Sequence, residues 1–271
     1  MVKKCYPLFV LLLCIQQLLA QDNSIGIFLA DSSLHKKTLI IPFEPDMYRS
    51  DMDREIGKYN GLSQIQIVEK LRVNFDRSLE NIVQLKNETH SFLHDETTAD
   101  ESNLINLYSS IGFVYTPIVR SSSKKEKIIN NIIPPKNKDL KDSRIKNGEV
   151  YTKSDTLERY MKTIVKDATV LEKIAEQSGV QNFLFINQFE LRNYFHDPIE
   201  LQNDTYQREL KIHYSILNKE GKELAGGLAK CVFSNKVINI NEIISSSFVC
   251  AAKQISDALN QYELSLITPK K

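Results

Sequence analysis

The sequence predicts an α/β fold, a mixed sheet with an antiparallel meander and helices packed on it. Stretches with apolar residues at three-to-four spacing alternate with short apolar runs of strand length. The later runs follow one another through turn residues, which makes them a meander instead of a set of crossovers. The chain has 271 residues, 42% hydrophobic and 25% charged, so it has globular composition and enough length for a sizeable core.

The amino terminus reads as an export signal. Lys3 and Lys4 precede an apolar stretch from Leu8 to Leu19, and Leu18-Leu19-Ala20 before Gln21 fits a cleavage site. Gln16 and Gln17 interrupt the stretch, which is also short for a bilayer span, so no transmembrane segment is expected after cleavage. Cys14 follows Leu11-Leu12-Leu13, where a lipobox would carry a small residue, and lipidation is not expected. A single domain is expected over 21–271. Without Lys3 and Lys4 the 35 basic residues become 33 against 34 acidic ones, a net charge of −1. Such a chain has no global field to attract nucleic acid or anionic lipid. Cys5 and Cys14 belong to the signal, leaving Cys231 and Cys250 either as a disulfide or as two buried thiols.

Thr38–Phe43 is a short apolar run between Lys36-Lys37 and Pro45, the pattern of a buried strand. From Ser63, with Gln66 completing a capping box, Val68, Leu71, Phe75, Leu79, Ile82 and Val83 form one face of a long helix. An irregular insert is expected at about 86–153, holding a short helix around Ser102–Ile111 and a strand at Phe113–Val119. Within it the basic stretch Ser121–Val150, with Pro134-Pro135 at its middle, reads as a solvated loop. Its Ile128, Ile129, Ile132 and Ile133 offer a partner something apolar to meet.

Ser154 then reads as the N-cap of a helix carrying Leu157, Tyr160, Met161, Ile164, Ala168, Leu171, Ile174 and Ala175, closed by Gly179. Phe183–Leu191 reads as a central strand and Arg208–Leu217 as a half-buried one. The turn Asn218–Lys222, with Gly221 free to take positive φ, leads to a strand over Leu224–Ser234. Gly226-Gly227 inside that strand marks a bulge or a close backbone approach. A last helix carries Ile244, Phe248, Ala251, Ile255, Leu259 and Tyr262.

This order of elements, with IIPFEP after the signal, a helix-Gly-strand unit at Leu157–Leu191 and a hairpin through NKEGKEL, resembles the amino-terminal domain of TolB. It is similar too to the curli-secretion and penicillin-binding-protein-activator lipoproteins of bacterial envelopes, and PFEPDMYRSDMDREI resembles exported, uncharacterised proteins of Bacteroidota. The resemblance implies a location in the periplasm or at the surface of a Gram-negative bacterium and another envelope protein as partner. One fold hosts many functions, so it implies architecture more than role.

For chemistry, Glu44, Asp46, Asp51 and Asp53 are the candidate ligands of a hard cation at the end of the first strand. The alternative is that Ser50 caps a helix whose acidic first turn sits at the positive end of the helix dipole. His90 and His94 have the spacing of two Zn²⁺ ligands on a helix, but Ser91 stands where H-E-x-x-H has its glutamate. Ser121–Ser123 and Ser245–Ser247 occur without a G-x-S-x-G elbow, and neither phosphate-binding glycine motif is present. No cofactor is expected. The reading is a non-enzymatic exported envelope protein working through protein–protein contact. Its alternatives are a metal-dependent hydrolase using the acidic cluster and a small-ligand module with a pocket at Gly226-Gly227.

Overall fold

The computed structural model describes residues 36–94, 101–118, 143–146, 149–152, 158–195 and 198–267; the signal segment, the core of the basic stretch at 121–142 and Ser154 lie outside these. In chain order the elements are β1 (Thr38–Ile41), β2 (Tyr48–Ser50), α1 (Asp53–Asn60), α2 (Gln64–Val83), β3 (Thr89–Ser91), α3 (Glu101–Ser109) and β4 (Ile111–Pro117). There follow β5 (Ser143–Lys146), β6 (Glu149–Thr152), β7 (Arg159–Val165), α4 (Thr169–Ser178), β8 (Asn182–Tyr194) and α5 (Pro198–Gln202). The chain ends with β9 (Gln207–Asn218), β10 (Glu223–Ser234), α6 (Ile240–Ile243) and α7 (Val249–Ile267), the last two joined by a π turn at Ile244–Phe248.

The main sheet has six strands in the order β10-β9-β8-β1-β3, with β2 also paired to β8. β1 is parallel to β3 and β8, β2 is parallel to β8, and β8, β9 and β10 form the antiparallel meander. The protein is therefore an α/β fold with a mixed sheet. Among the described residues no helix is long and apolar enough to cross a membrane.

β1 and β2 act as one interrupted strand laid along β8. Ile41 pairs with Phe185 and Tyr48 with Phe189, so the chain uses seven positions where β8 uses four. The surplus leaves the sheet as Pro42–Met47, a loop that ends in a 3-10 turn at Pro45–Met47. Proline has no N–H for a ladder, which makes Pro42 and Pro45 suited to a break.

Alternation along β1 and β8 gives each face its own core. Ile40, Leu184 and Ile186 join α2 and α7 residues such as Leu71, Phe75, Ala251 and Ile255 on one face. Leu39, Ile41, Phe183 and Phe185 join Leu107 of α3 and Leu171 of α4 on the other. A register shift between Ile186 and Gln188 against β9 then changes the parity of β8. Phe189 and Leu191 consequently stay on the α2 side, and Gln188 and Glu190 turn to the opposite face.

There the ribbon β4–β7 meets polar side chains. Met161 N donates to His213 Nδ1 at 2.7 Å and Thr163 N to Ser215 Oγ at 3.1 Å, while Asn187 Nδ2 donates to Met161 O at 2.6 Å. These side chains supply an edge strand with the backbone partners it lacks. His213, with Nδ1 accepting, carries its proton on Nε2, which lies 3.5 Å from Glu190 Oε1. Burial pushes the Glu190 carboxyl up, but His213, Arg192 and Lys211 outweigh it and hold it below the usual carboxylate range.

Several expectations are corrected. The helix expected over Leu157–Ala175 is a strand, β7, followed by α4. Tyr160, Thr163, Ile164 and Val165 are aromatic or β-branched, and strand propensity with long-range pairing to β4 overrides an accidental helical spacing. Asp167 starts α4 by accepting from Thr169 N at 3.0 Å, and Gly179 closes it in the left-handed region, φ 72°. Within the insert at 86–153 the expected short helix and strand are α3 and β4, and the described residues add β3 and the hairpin β5–β6, which were not expected. At Gly226 the expected close approach is present: a Cβ there would meet Tyr160 of β7 at 2.8 Å.

Candidate binding pocket at the break in the first strand

The loop Pro42–Met47 that interrupts the sheet opens a cavity of about 390 Å³ lined by Glu44, Pro45, Arg72, Phe92, Leu93, Leu104, Ile105 and Tyr108. The cavity lies at the carboxyl end of β1, where the crevices of open α/β sheets take ligands. Its walls come from the strand break, α2, the turn after β3, and α3.

Helix α2 supplies the polar part. The Ser63 capping box forms as predicted, with Ser63 N donating to Gln66 Oε1 at 2.9 Å. Leu71, Phe75 and Leu79 then enter the core, and beside them Arg72, Asp76 and Glu80 form a charged row at four-residue spacing. Arg72 Nε donates to Phe43 O at 2.9 Å and Nη2 donates to the Tyr108 hydroxyl at 3.2 Å. That hydroxyl donates in turn to Pro42 O at 2.8 Å. Burial pushes the Tyr108 phenol up to about 12 against the opposing pull of Arg72, so it stays protonated as a donor. Arg72 thus props the strand break open and adds a guanidinium to a cavity whose other polar groups are Glu44 and Tyr108.

One turn further along α2, Asp76 and Glu80 hold the turn that follows β3. Ser91 Oγ donates to Asp76 Oδ2, Ser91 N donates to Glu80 Oε1 at 3.0 Å, and His94 Nδ1 lies 3.0 Å from Glu80 Oε2 and 3.5 Å from Asp76 Oδ2. Ser91 Oγ also accepts from Leu93 N at 3.0 Å, so this hydroxyl is committed to the turn and does not meet an imidazole as a nucleophile would. Asp76 is 1% exposed. Burial pushes its carboxyl up to about 7, with Glu80 adding to the effect and Ser91, His94 and Arg72 opposing it.

The carboxylates singled out in the sequence do not share a site. Glu44 lines the cavity, and Asp46 is exposed, with its backbone carbonyl accepting from Arg49 Nη1 at 2.9 Å. Asp51 Oδ2 accepts from Asn193 N at 3.2 Å, and Asp53 Oδ1 accepts from the buried Tyr48 hydroxyl at 2.5 Å. Glu55 pairs with Arg208, itself 1% exposed. Ser50 does not cap α1: it is still in β2, paired with Leu191, and its hydroxyl accepts from Met52 N at 3.0 Å. Among the described residues no group of three or more His, Cys, Asp or Glu is arranged to hold a metal ion. His90 is on strand β3, with Nε2 3.7 Å from Glu88, while His94 turns to α2, so the helical Zn²⁺ spacing does not arise.

Cys231 of β10 and Cys250 of α7 form a disulfide, with the Cα atoms 6.2 Å apart. Beside it Gln254 closes the exposed edge of β10, accepting from Lys230 N at 3.1 Å and donating to Lys230 O at 2.8 Å.

The pocket and its charged row are what sequence reading missed. A signal for them exists in Arg72, Asp76 and Glu80 at four-residue spacing next to the apolar face of α2. With this geometry in hand, comparison with family models, with curated proteins and with solved structures gave no match.

Proposed function

We propose that the protein is a non-enzymatic, exported envelope protein that recognises another envelope protein by taking an apolar side chain of that partner into the cavity at the strand break. The observation that carries this reading is the cavity itself, apolar over Pro45, Phe92, Leu93, Leu104 and Ile105 and polar only at Glu44, Arg72 and Tyr108. A large side chain seated in a desolvated pocket with a few polar groups around it is how interface anchors concentrate binding energy. The ordered but chemically committed Ser91, His94 and Asp53 support contact over catalysis. Export is supported by the amino-terminal segment and by the disulfide, since such bonds persist in oxidising compartments.

Ile105 is 60% exposed and lines the cavity, so Ile105→Glu changes the pocket with little effect on folding. Affinity capture from the native envelope is expected to recover a partner with the wild-type protein, and binding of that partner is expected to weaken at least about tenfold in Ile105→Glu, roughly 1.4 kcal/mol. Equal binding by both proteins, or turnover of a defined substrate by the purified protein, would overturn the proposal.

A further inference from the structure

The polar groups around the cavity are not equally free. Tyr108 is committed: its hydroxyl donates to Pro42 O at 2.8 Å and accepts from Arg72 Nη2 at 3.2 Å. Arg72, 9% exposed, uses Nε on Phe43 O at 2.9 Å, and its Nη1 lies 3.9 Å from Oε2 of the exposed Glu69. These bonds satisfy the two carbonyls that the strand break leaves without a ladder partner. Glu44 is different. It is half-buried and lines the cavity, and its carboxylate has no hydrogen bond or ion pair among the described residues.

The remaining walls, Pro45, Phe92, Leu93, Leu104 and Ile105, are apolar. An occupant that takes this cavity out of water therefore desolvates a carboxylate and has to offer it a hydrogen-bond donor. Lysine, arginine, tryptophan and tyrosine carry a donor at the edge of a large apolar body. Charge separates them. Glu44 and Arg72 bring opposite charges to the cavity, so an incoming lysine or arginine adds an uncompensated positive charge beside Arg72 as water leaves. A neutral donor keeps the balance. An indole N–H only donates, whereas a phenol hydroxyl donates once and accepts twice. The hydroxyl matches a cavity that offers both an acceptor, Glu44, and the N–H groups of Arg72 left over from the strand break.

We propose that the side chain anchored in this cavity is a tyrosine of the partner, its ring among Phe92, Leu93, Leu104 and Ile105 and its hydroxyl donating to the Glu44 carboxylate. The assignment rests on the pocket reading above and adds to it the chemistry of the residue received. A volume of about 390 Å³ admits such a ring. Aromatic side chains with a polar tip are frequent anchors at interfaces.

The test titrates the full chain with p-cresol, toluene and n-butylammonium, which carry the side-chain chemistry of tyrosine, phenylalanine and lysine, and reads the methyl resonances of Leu93, Leu104 and Ile105. p-Cresol is expected to bind about tenfold more tightly than toluene, because a hydrogen bond to a carboxylate outweighs the desolvation of the hydroxyl. n-Butylammonium is expected to bind more weakly than p-cresol. Glu44→Leu removes no side-chain hydrogen bond among the described residues, and in it the advantage of p-cresol is expected to vanish while toluene still binds. Equal binding of p-cresol and toluene to wild type, tighter binding of n-butylammonium, or an undiminished preference for p-cresol in Glu44→Leu would remove the tyrosine assignment and leave the pocket reading standing, since the cavity still receives a side chain. If none of these molecules moves the methyl resonances, the pocket reading fails together with the assignment.

Discussion

Replacing Phe189 with alanine is expected to lower the unfolding free energy by about 4 kcal/mol, near the top of what a single core truncation costs. Phe189 is fully buried and is where separate parts of the chain meet. Its ring centroid lies 5.2 Å from Phe43 of the strand break, 5.8 Å from Tyr48 of β2, 5.8 Å from Phe75 of α2 and 5.9 Å from Phe248 of the π turn. The π turn is itself adapted to this: Ser246 and Ser247 hydroxyls donate back to the Glu242 and Ile243 carbonyls at 2.7 and 2.6 Å while Phe248 sets its ring edge-on to Phe75. Alanine at 189 removes the shared ring and leaves a cavity bounded by elements that cannot collapse independently. Denaturant unfolding measures the loss. Phe189→Leu, which keeps most of the volume, should cost much less. A loss under about 1.5 kcal/mol in Phe189→Ala would mean that the cluster relaxes freely and does not unite these elements.

Reducing the Cys231–Cys250 disulfide, or replacing both cysteines with alanine, is expected to cost about 3 kcal/mol. The bond closes a loop with a sequence separation of 19, and its removal restores that closure entropy to the unfolded chain. The folded state is also loosened at a sensitive place. β10 is the outer strand of the meander, and it is tied to α7 by this bond and by the Gln254 carboxamide on Lys230. Loss of the tie is expected to raise hydrogen exchange along Leu228–Val232 before the rest of the sheet responds. Unchanged denaturant midpoints in the presence and absence of a thiol reductant would contradict both effects.

Much of the fold was legible because it is locally encoded. The capping box at Ser63 and Gln66, the left-handed closure at Gly179 and the hairpin glycine Gly221, φ 75°, are each recorded in a few adjacent residues. The strands Phe183–Leu191 and Arg208–Leu217 were likewise plain from composition, as parts of β8 and β9. What was missed depends on partners far along the chain. The identity of Arg159–Val165 as a strand is decided by β4 and by His213, Asn187 and Ser215. The break between β1 and β2 is visible only against β8, because nothing local states how many residues β8 spends opposite it. The candidate site follows the same division. Glu44 was named from its place after the first strand, but Asp46, Asp51 and Asp53 share no cluster, since each meets its own surroundings. Arg72, Asp76 and His94 come together only once α2 lies against the turn after β3.

The central claim, that the protein acts by receiving a partner at the strand break, is tested most directly by photocrosslinking in the native envelope. A photoreactive side chain is placed at Ile105 and, as control, at Leu85, which is 77% exposed and follows α2 about 20 Å along the helix from Arg72. The account predicts an adduct of one defined mass from position 105, absent from position 85. No adduct from position 105, or the same adduct from both positions, would contradict it.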